Sequence, residues 1–359
     1  MFRQMNMIPH LPFLAAAFLA ASSFGSTVDY IDNGRGPVPL HIPSDYDGSE
    51  PLPLVVALHG YNDPGVDGYF DFVPQVDQRR FLYCAPEGTV DAFGNFFWNG
   101  TDACCNFLGS GVDDSGYLRQ LVELIQAQYA VDDRSIHFTG ISNGGFMSYR
   151  MACDHADLIA SIVPLAGTTY GDASDCTPQE PVHVLHIHGT ADSTIRYDGG
   201  CIVFNCYPGA EESVSMWTDY NGCDFVPTDG GPAFNLDWSV GGNETSSTIY
   251  EQACADGVTV ELWEMAGSEH VPNFRRGGDP RLDNLYANRV IDWMLAHRKP
   301  GGGVSCPADL DRNGTVDIDD LLSVLIAWGS GDASGDVDAD GLVGGDDLLL
   351  VVGSWGACR

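Results

Sequence analysis

A serine between glycines marks the part of this chain whose residue types and spacing best suit covalent catalysis. Ser142 lies in Thr-Gly-Ile-Ser-Asn-Gly-Gly, residues 139–145, after a β-branched and aromatic run at 135–138 and before a helix-like run at 146–151. Strand, Gly-x-Ser-x-Gly and helix are the context of a nucleophile elbow, where glycines permit a sharp turn and the hydroxyl projects from a sheet. The helix N-terminus offers N–H groups and a positive dipole end to an oxyanion. The pattern predicts that Ser142 is a nucleophile.

A nucleophilic serine on such an elbow needs an acid and a base, which follow it in the order Ser, Asp/Glu, His. Asp192 stands on a loop after an apolar strand at 182–188, and His270 on a loop after a strand at 258–263. The two residues therefore complete a predicted Ser-Asp-His triad. Asp198 and Glu269 are rivals for the acid.

The other histidines fit the role of base less well. His183 and His186 lie within the strand that precedes Asp192, which indicates core or rim positions. His188 ends that strand before a glycine, and we expect it to order the loop. The histidines that precede Ser142 stand in the wrong order for the base.

The tetrahedral intermediate of ester hydrolysis also needs two hydrogen-bond donors for its oxyanion. The N–H of Asn143, directly after the nucleophile, is the first candidate. The second should come from a loop after an early strand. A continuous apolar strand at 54–58 runs into His59-Gly60, and this predicts the backbone N–H of Tyr61 as that donor. Removing one such donor typically costs ~3 kcal/mol of transition-state stabilisation.

In combination, several motifs resemble the secreted esterases grouped as polyhydroxybutyrate depolymerases and feruloyl esterases. The motifs are residues 53–60, 112–118, 140–145 and 188–192, the pair Cys104-Cys105 after Trp98-Asn99, and the stretch from Trp217 to Asn221-Gly222-Cys223. The resemblance covers roughly residues 28–298. It implies an α/β-hydrolase fold, a mainly parallel sheet with helices on both faces, and cofactor-free hydrolysis of carboxylic esters by Ser142, Asp192 and His270. Some relatives surround the base with glycines and a tryptophan, whereas residues 267–272 read Gly-Ser-Glu-His-Val-Pro, so the acyl preference stays open.

Eleven cysteines indicate an oxidising compartment, where most would pair. Spacing and the resemblance together suggest three disulfides, Cys153–Cys176, Cys223–Cys254 and Cys201–Cys206. Cys306 and Cys358 bracket the C-terminal segment, and a bond between them would join its two ends. Cys84, Cys104 and Cys105 are left over, which implies at least one free thiol.

The C-terminal segment contains two similar twelve-residue loops, at 309–320 and 336–347, each followed by an apolar run. Oxygen ligands at loop positions 1, 3, 5 and 12, with glycine at 6, are typical of EF-hand calcium sites. Position 7 ligates through its carbonyl oxygen, and at position 9 a water could bridge to Gly344 in the second loop. The loops predict two calcium ions, held by Asp309, Asp311, Asn313, Thr315, Asp317 and Asp320, and by Asp336, Asp338, Asp340, Leu342 and Asp347. Position 12 is aspartate in both loops, where an EF-hand usually has glutamate.

Two such loops, each leading into a short helix at 321–328 or 348–355, resemble a dockerin type I module, a small all-α domain. That resemblance implies a cohesin partner and attachment to a polysaccharide-degrading assembly. Dockerins read their partner largely through loop positions 10 and 11 and basic helix residues. Here those positions are Ile318, Asp319, Gly345 and Asp346, and the segment has no lysine. Another cell-surface partner therefore stays open.

Charge and the N-terminus indicate where the protein works. The formal net charge is -34, which repels nucleic acid and anionic membranes. Residues 1–26 combine Arg3, an apolar run at 11–21 and small residues through Ser26. This run is too short to span a bilayer and is typical of a secretory signal peptide. We expect a secreted protein whose mature form has no membrane span.

The chain thus divides into a signal peptide at 1–26, a catalytic domain at 27–298, a Gly-rich linker at 299–305 and a calcium module at 306–359. Between acid and base, Trp217 and Trp238 are candidates for the acyl pocket or for the core. The module favours feruloyl or acetyl esters on xylan as substrate. An extracellular polyhydroxybutyrate depolymerase is the alternative, and a non-catalytic binding protein on the same fold is the alternative of another class.

Overall fold

The computed structural model describes residues 25–275, 284–299, 308–310, 315–330, 335–338 and 341–357. Most of the predicted signal peptide and of the linker lies outside the described residues. The same holds for the predicted calcium ligands Asp311, Asn313 and Asp340, and for the cysteines Cys306 and Cys358.

Helices and strands alternate along most of the described chain. The strands are β1 Thr27–Asp32, β2 Pro37–Ile42, β3 Leu52–Leu58, β4 Leu82–Cys84, β5 Thr89–Val90, β6 Phe96–Phe97, β7 Val131–Ile141, β8 Ser161–Leu165, β9 His183–Gly189, β10 Gly200–Ile202, β11 Asn205–Tyr207, β12 Thr228–Asp229, β13 Thr245–Tyr250, β14 Val260–Met265, β15 Thr315–Val316 and β16 Gly356–Ala357. The α-helices are α1 Val66–Phe70, α2 Val76–Arg79, α3 Asp114–Gln128, α4 Asn143–Asp154, α5 Ala210–Tyr220, α6 Leu285–Ala296, α7 Ile318–Ile326 and α8 Gly345–Gly353.

One ten-stranded sheet organises the larger part of the molecule. Its order is β1-β2-β4-β3-β7-β8-β9-β14-β13-β12. The pairings from β4 through β14 are parallel, and those toward both edges are antiparallel. Since the carboxyl ends of parallel strands share one edge, the loops after β3, β7, β9 and β14 gather there. This is the mainly parallel sheet that the sequence predicts.

Both faces of the sheet are covered, because side chains alternate between faces along each strand. In β3, Leu54 and Val56 belong to a core that includes residues of α3, α4 and α5. Val55 and Ala57 belong to a second core with residues of α1 and α6. Trp217 is fully buried on α5 in the first of these cores, so of the two roles considered for it, core and acyl pocket, the structure supports the core.

Four disulfides lie within the described chain, and three of them were predicted. These are Cys153–Cys176, Cys201–Cys206 and Cys223–Cys254, and the fourth joins the adjacent Cys104 and Cys105. Cys84 is the one free cysteine among the residues that the structure describes. It is fully buried on β4 inside the sheet, which explains why it finds no partner.

Near the C-terminus, α7 and α8 pack together over a small core that includes Val316, Val324 and Val351. Both helices begin three residues earlier than predicted, because the carboxylates of Asp320 and Asp347 accept the N–H of the residue before each helix, at 2.8 Å and 2.6 Å. A two-stranded pairing of β15 with β16 joins the ends of the segment. The expectation of a purely helical segment was therefore incomplete.

No helix in the described ranges combines the length and apolar character that crossing a membrane requires.

Candidate active site

Ser142 occupies a strained turn between β7 and α4. Its backbone has φ 55° and ψ −117°, a region that residues with side chains seldom adopt. The turn is held from both sides, since the Ser142 N–H donates to the Leu165 carbonyl at 2.8 Å and its own carbonyl accepts from Phe146 at 3.0 Å. The half-buried side chain therefore projects at the carboxyl edge of the sheet, as an elbow nucleophile must.

The glycines around Ser142 are required by close backbone contacts. A Cβ on Gly140 would lie 2.4 Å from the carbonyl of Gly144. A Cβ on Gly144 would lie 2.1 Å from the carbonyl oxygen of Leu58, at the end of β3. Any side chain at either position would push the first turn of α4 away from the sheet.

Asp192 and His270 meet although 78 residues separate them. The His270 Nδ1 lies 2.7 Å from Asp192 Oδ2, and the carboxylate is fully buried. Its other oxygen accepts the N–H groups of Thr194 and Ile195 at 2.8 Å and 2.9 Å. Burial alone would raise the pKa of the Asp192 carboxyl, but hydrogen bonds from His188 and His270 outweigh it and hold that pKa well below its ordinary value. Asp192 is thus an ionised acceptor that orients the imidazole of His270.

The rival acids do not share this position. Asp198 is exposed, and the exposed Glu269 lies 3.5 Å from the hydroxyl of Ser193.

Within the described chain, the imidazole of His270 bonds to Asp192 and the Ser142 hydroxyl has no hydrogen-bonded partner. The structure therefore brings together the acid and the base of the predicted triad. The contact between base and nucleophile often tightens only when substrate binds.

The predicted oxyanion loop lies directly beside the nucleophile. A Cβ on Gly60 would lie 3.7 Å from the Cβ of Ser142, so the loop that carries Tyr61 runs alongside Ser142. The buried ring of His59 fixes this loop, since its Nδ1 lies 2.7 Å from the Gly60 carbonyl and its Nε2 accepts the Gly88 N–H at 2.9 Å. Burial lowers the pKa of His59 and so favours the neutral ring that this pattern needs.

The side chain of Asn143, the other predicted donor residue, holds the neighbouring loop. Its Oδ1 accepts the Trp98 N–H at 2.7 Å and its Nδ2 donates to the Trp98 carbonyl at 2.9 Å. Its backbone N–H begins α4 beside Ser142. Both predicted oxyanion residues thus lie on segments that adjoin Ser142.

A buried carboxylate that the sequence reasoning missed holds the loop of the base. Asp237 accepts from the hydroxyl of Ser268 and from the N–H of Asn273 at 2.9 Å, on either side of His270. The backbone N–H of Trp238 donates to the Asn273 carbonyl at 2.8 Å, so Trp238 lies beside this loop. Asp237 lies outside every recognisable motif, and only the folded chain reveals its contacts.

An apolar cavity of about 230 Å³ opens close to the oxyanion loop. Phe97, Cys105, Phe107 and Leu108 supply much of its lining. The ring of Phe107 stands edge-on to the ring of Tyr61, with centroids 5.4 Å apart. Phe107 thus connects the lining of this cavity to the side chain of Tyr61.

The predicted calcium ligands form a separate carboxylate cluster. Ligand oxygens of Asp336, Asp338 and Asp347 all lie within 4.8 Å of one another. Asp347 accepts the Val337 N–H at 2.7 Å, and Asp320 of the first loop accepts the Leu310 N–H, also at 2.7 Å. The two loops thus repeat one pattern of contacts, and their oxygen donors fit a hard cation such as Ca²⁺.

The remaining predicted ligands of these loops are placed as follows. Asp309, Thr315 and Asp317 are half-buried in the first loop, and Leu342 is exposed in the second. The carboxylate of Asp317 accepts the Asp319 N–H at 2.9 Å and so caps α7.

Several known proteins with similar sequences are named as esterases. Feruloyl esterase B of Piromyces equi is 27% identical over 243 residues, which are 64% of this chain and 42% of that protein. Probable feruloyl esterase C of Aspergillus niger is 30% identical over 225 residues, 55% of this chain and 76% of that protein. The bifunctional acetylxylan esterase/xylanase of Neocallimastix patriciarum is 25% identical over 265 residues, 73% of this chain and 35% of that protein. The chain thus spans less than half of the first and third of these relatives.

No protein-family model matches the chain. Among solved structures, the acetyl xylan esterase from Aspergillus awamori superposes with a TM-score of 0.47 at 16% identity, covering 75% of this chain and 99% of that one. The identity and coverage with feruloyl esterase C, together with the elbow serine and the Asp-His pair, lead to one assignment: the chain belongs to the feruloyl esterase family of carboxylic ester hydrolases.

Proposed function

We propose that this protein is a serine esterase in which Ser142, His270 and Asp192 form the catalytic triad. The hydroxyl oxygen of Ser142 attacks the ester carbonyl carbon while Nε2 of His270 takes its proton. Asp192 holds Nδ1 of the ring and stabilises the imidazolium. The N–H groups of Asn143 and Tyr61 stabilise the oxyanion. The single observation that carries this proposal is the 2.7 Å contact of His270 with buried Asp192, at the sheet edge where Ser142 projects.

The rest of the reaction follows from the same groups. When the tetrahedral intermediate collapses, the imidazolium of His270 gives its proton to the departing alkoxide, and the acyl group stays on Ser142. A water molecule then attacks the acyl-enzyme while His270 takes its proton. His270 returns that proton to the Ser142 oxygen as the acyl–oxygen bond breaks and the acid product leaves.

We infer that the substrate is an ester on plant cell-wall polysaccharide, with feruloyl preferred over acetyl. Relatives named as feruloyl and acetylxylan esterases support the polysaccharide. The apolar cavity beside Tyr61 supports an aromatic acyl group. Its 230 Å³ lies below the roughly 300–1,000 Å³ of sites for drug-sized ligands, which suits a single ring.

Ser142→Ala tests the chemistry. We expect p-nitrophenyl acetate hydrolysis to fall by several orders of magnitude and the acyl-enzyme mass to disappear. Ser193→Ala is the matched control, an exposed serine on the Asp192 loop, and should keep its rate. Wild-type turnover in Ser142→Ala would overturn the triad. Binding of xylan without hydrolysis would instead make the chain a binding protein.

Phe107→Ala tests the acyl group. It should lower kcat/KM for methyl ferulate much more than for p-nitrophenyl acetate, because only the aromatic acyl group reaches the cavity. Product analysis on feruloylated arabinoxylan, acetylated xylan and short polyhydroxybutyrate oligomers, run in parallel, identifies the polymer. Release of hydroxybutyrate alone would replace the xylan assignment.

We also propose that residues 306–359 are a dockerin-type module that binds two calcium ions and attaches the enzyme to a cohesin or another cell-surface partner. The repeated carboxylate contacts of the two loops support the metal. Exposed apolar side chains on α7 and α8 support a partner, among them Leu322, Leu325, Leu349 and Val352. Calcium would supply the positive charge that lets these carboxylates lie close together.

We further propose that the protein is secreted, with a signal peptide at 1–26 and a linker at 299–305. The four disulfides support an oxidising compartment. N-terminal sequencing of the exported protein would test the cleavage site.

A further inference from the structure

Behind the Asp192 carboxylate, three buried side chains form a continuous line of hydrogen bonds. The Tyr149 hydroxyl on α4 lies 2.7 Å from Nδ1 of His186, and Nε2 of His186 lies 3.1 Å from Nδ1 of His188. Nε2 of His188 lies 2.8 Å from the Ile195 carbonyl and 3.4 Å from Asp192 Oδ2. Residues two apart on a strand share a face, so β9 presents both imidazoles to the same neighbours. All three side chains are fully buried.

The acceptor at one end fixes the first proton in this line. A carbonyl oxygen only accepts, so Nε2 of His188 carries hydrogen, and in the singly protonated ring Nδ1 is then an acceptor. Nε2 of His186 must then donate to it, which leaves Nδ1 of His186 to accept from the Tyr149 hydroxyl. Burial lowers the pKa of His186 well below its ordinary value and raises that of Tyr149 well above it, so both groups stay neutral. With one proton on His188, a single arrangement satisfies the whole line.

All the donors in this line point toward the catalytic acid. Oδ2 of Asp192 lies 2.7 Å from Nδ1 of His270. The same oxygen lies 3.4 Å from Nε2 of His188. His188 also ties the start of the loop at Gly189 to the carbonyl of Ile195, at its far end. A rotation of the Asp192 carboxylate away from His270 would break both contacts of Oδ2.

We propose that His188 is a positioning residue of the esterase, which holds the Asp192 carboxylate against His270, and that His186 and Tyr149 hold His188 in the tautomer this requires. This proposal rests on the catalytic triad of the proposed function. His186 and Tyr149 are fully buried, and we expect their effect to pass through His188.

The proposal is tested by variants of the hydrogen-bonded residues, compared with a variant of another buried histidine on β9. His188→Leu removes the donor, His188→Gln keeps an N–H near the Nε2 position, and Tyr149→Phe removes only the first donor. His183→Gln is the matched control, because His183 is also buried on β9 but bonds to Thr259 and Arg298 at the far end of the strand.

We expect His188→Leu to lower kcat on p-nitrophenyl acetate about 10- to 100-fold with KM nearly unchanged, the scale seen for partners that orient a functional ligand. His188→Gln should recover most of the loss, Tyr149→Phe should lose a few-fold, and His183→Gln should match wild type. The low-field proton resonance of the His270 Nδ1–H should move in His188→Leu and stay in His183→Gln.

Wild-type kcat with an unmoved resonance in folded His188→Leu would overturn the proposal, as would an equal loss in His183→Gln. If His188→Leu does not fold, wild-type values in both His188→Gln and Tyr149→Phe, with the resonance unmoved in each, would overturn it. The resonance does not depend on turnover, so it still reports on His188 if Ser142→Ala shows that the proposed function fails.

Discussion

Replacing Asp192 by asparagine would reverse the hydrogen bonding of the triad without changing its shape. The N–H groups of Thr194 and Ile195 both point at Oδ1, at 2.8 Å and 2.9 Å, and backbone amides cannot become acceptors. The asparagine must therefore place its oxygen there and turn its NH₂ group toward His270 and His188. Facing a donor, His270 can bond only through the lone pair of Nδ1, which moves its proton to Nε2. That tautomer cannot accept the serine proton.

The expected loss follows from removing general-base catalysis in an otherwise intact site. The corresponding change in a serine protease lowers kcat about 10⁴-fold, which is roughly 5.5 kcal/mol at 1.36 kcal/mol per tenfold. KM should change little, since Asp192 is buried behind the imidazole and does not touch substrate. Initial rates with p-nitrophenyl acetate over a range of concentrations separate kcat from KM, and circular dichroism checks the fold.

Two rivals serve as controls for this substitution. Asp198→Asn and Glu269→Gln alter exposed carboxylates on the neighbouring loops and should stay within about twofold of wild type, as exposed sites usually do. A folded Asp192→Asn variant that keeps more than a tenth of wild-type kcat would refute the reasoning. So would a larger loss in Asp198→Asn.

Three further predictions concern the fold and the metal. Gly144→Ala puts a Cβ 2.1 Å from a β3 carbonyl oxygen and should lower both Tm and activity, costing about 1–3 kcal/mol or more, whereas Gly68→Ala, with open space, should not. Asp347→Asn in the full-length chain should make the C-terminal segment sensitive to protease, and EGTA should do the same in wild type. Asp346→Asn, at an exposed carboxylate, is the control. Equal protease resistance of the wild type in calcium and in EGTA would exclude a calcium-dependent fold. The lowered pKa of Asp192 means that its ionised form contributes stability above pH about 4, which is lost as pH falls through the folded-state value. The difference in unfolding free energy between wild type and Asp192→Asn should accordingly be constant above pH 5 and shrink below pH 4, and a difference that grows on acidification would contradict the shift.

The parts of the site that the sequence predicted are those that local sequence patterns mark. The elbow around Ser142 is a strand, a turn and a helix within about fifteen residues, and each has its own signal in residue type and spacing. Asp192 and His270 were predicted because parallel strands bring the loops at their carboxyl ends together. The carboxylates of the two C-terminal loops were predicted from a different local signal, the spacing of ligand residues in a repeated twelve-residue motif.

Contacts of side chains that belong to no recognisable motif could not be predicted in this way. Asp237 touches Ser268 and Asn273, and the hydroxyl of Tyr149 reaches His186, only because the sheet folds these segments against each other. The sequence left Trp217 two possible roles and favoured the core over the pocket, and its packing against the sheet confirms the core.

The sequence by itself predicted the order of the elements, the proposed nucleophile with its acid and base, and three of the disulfides. The tertiary structure alone decided which buried polar groups pair, that Cys104 bonds to Cys105 and not to Cys84, and that His188 lies beside the Asp192 carboxylate. The reason is physical. Periodicity and turn chemistry act between neighbours along the chain, whereas a buried polar group takes its partner from whatever backbone or side chain the fold brings within about 3 Å.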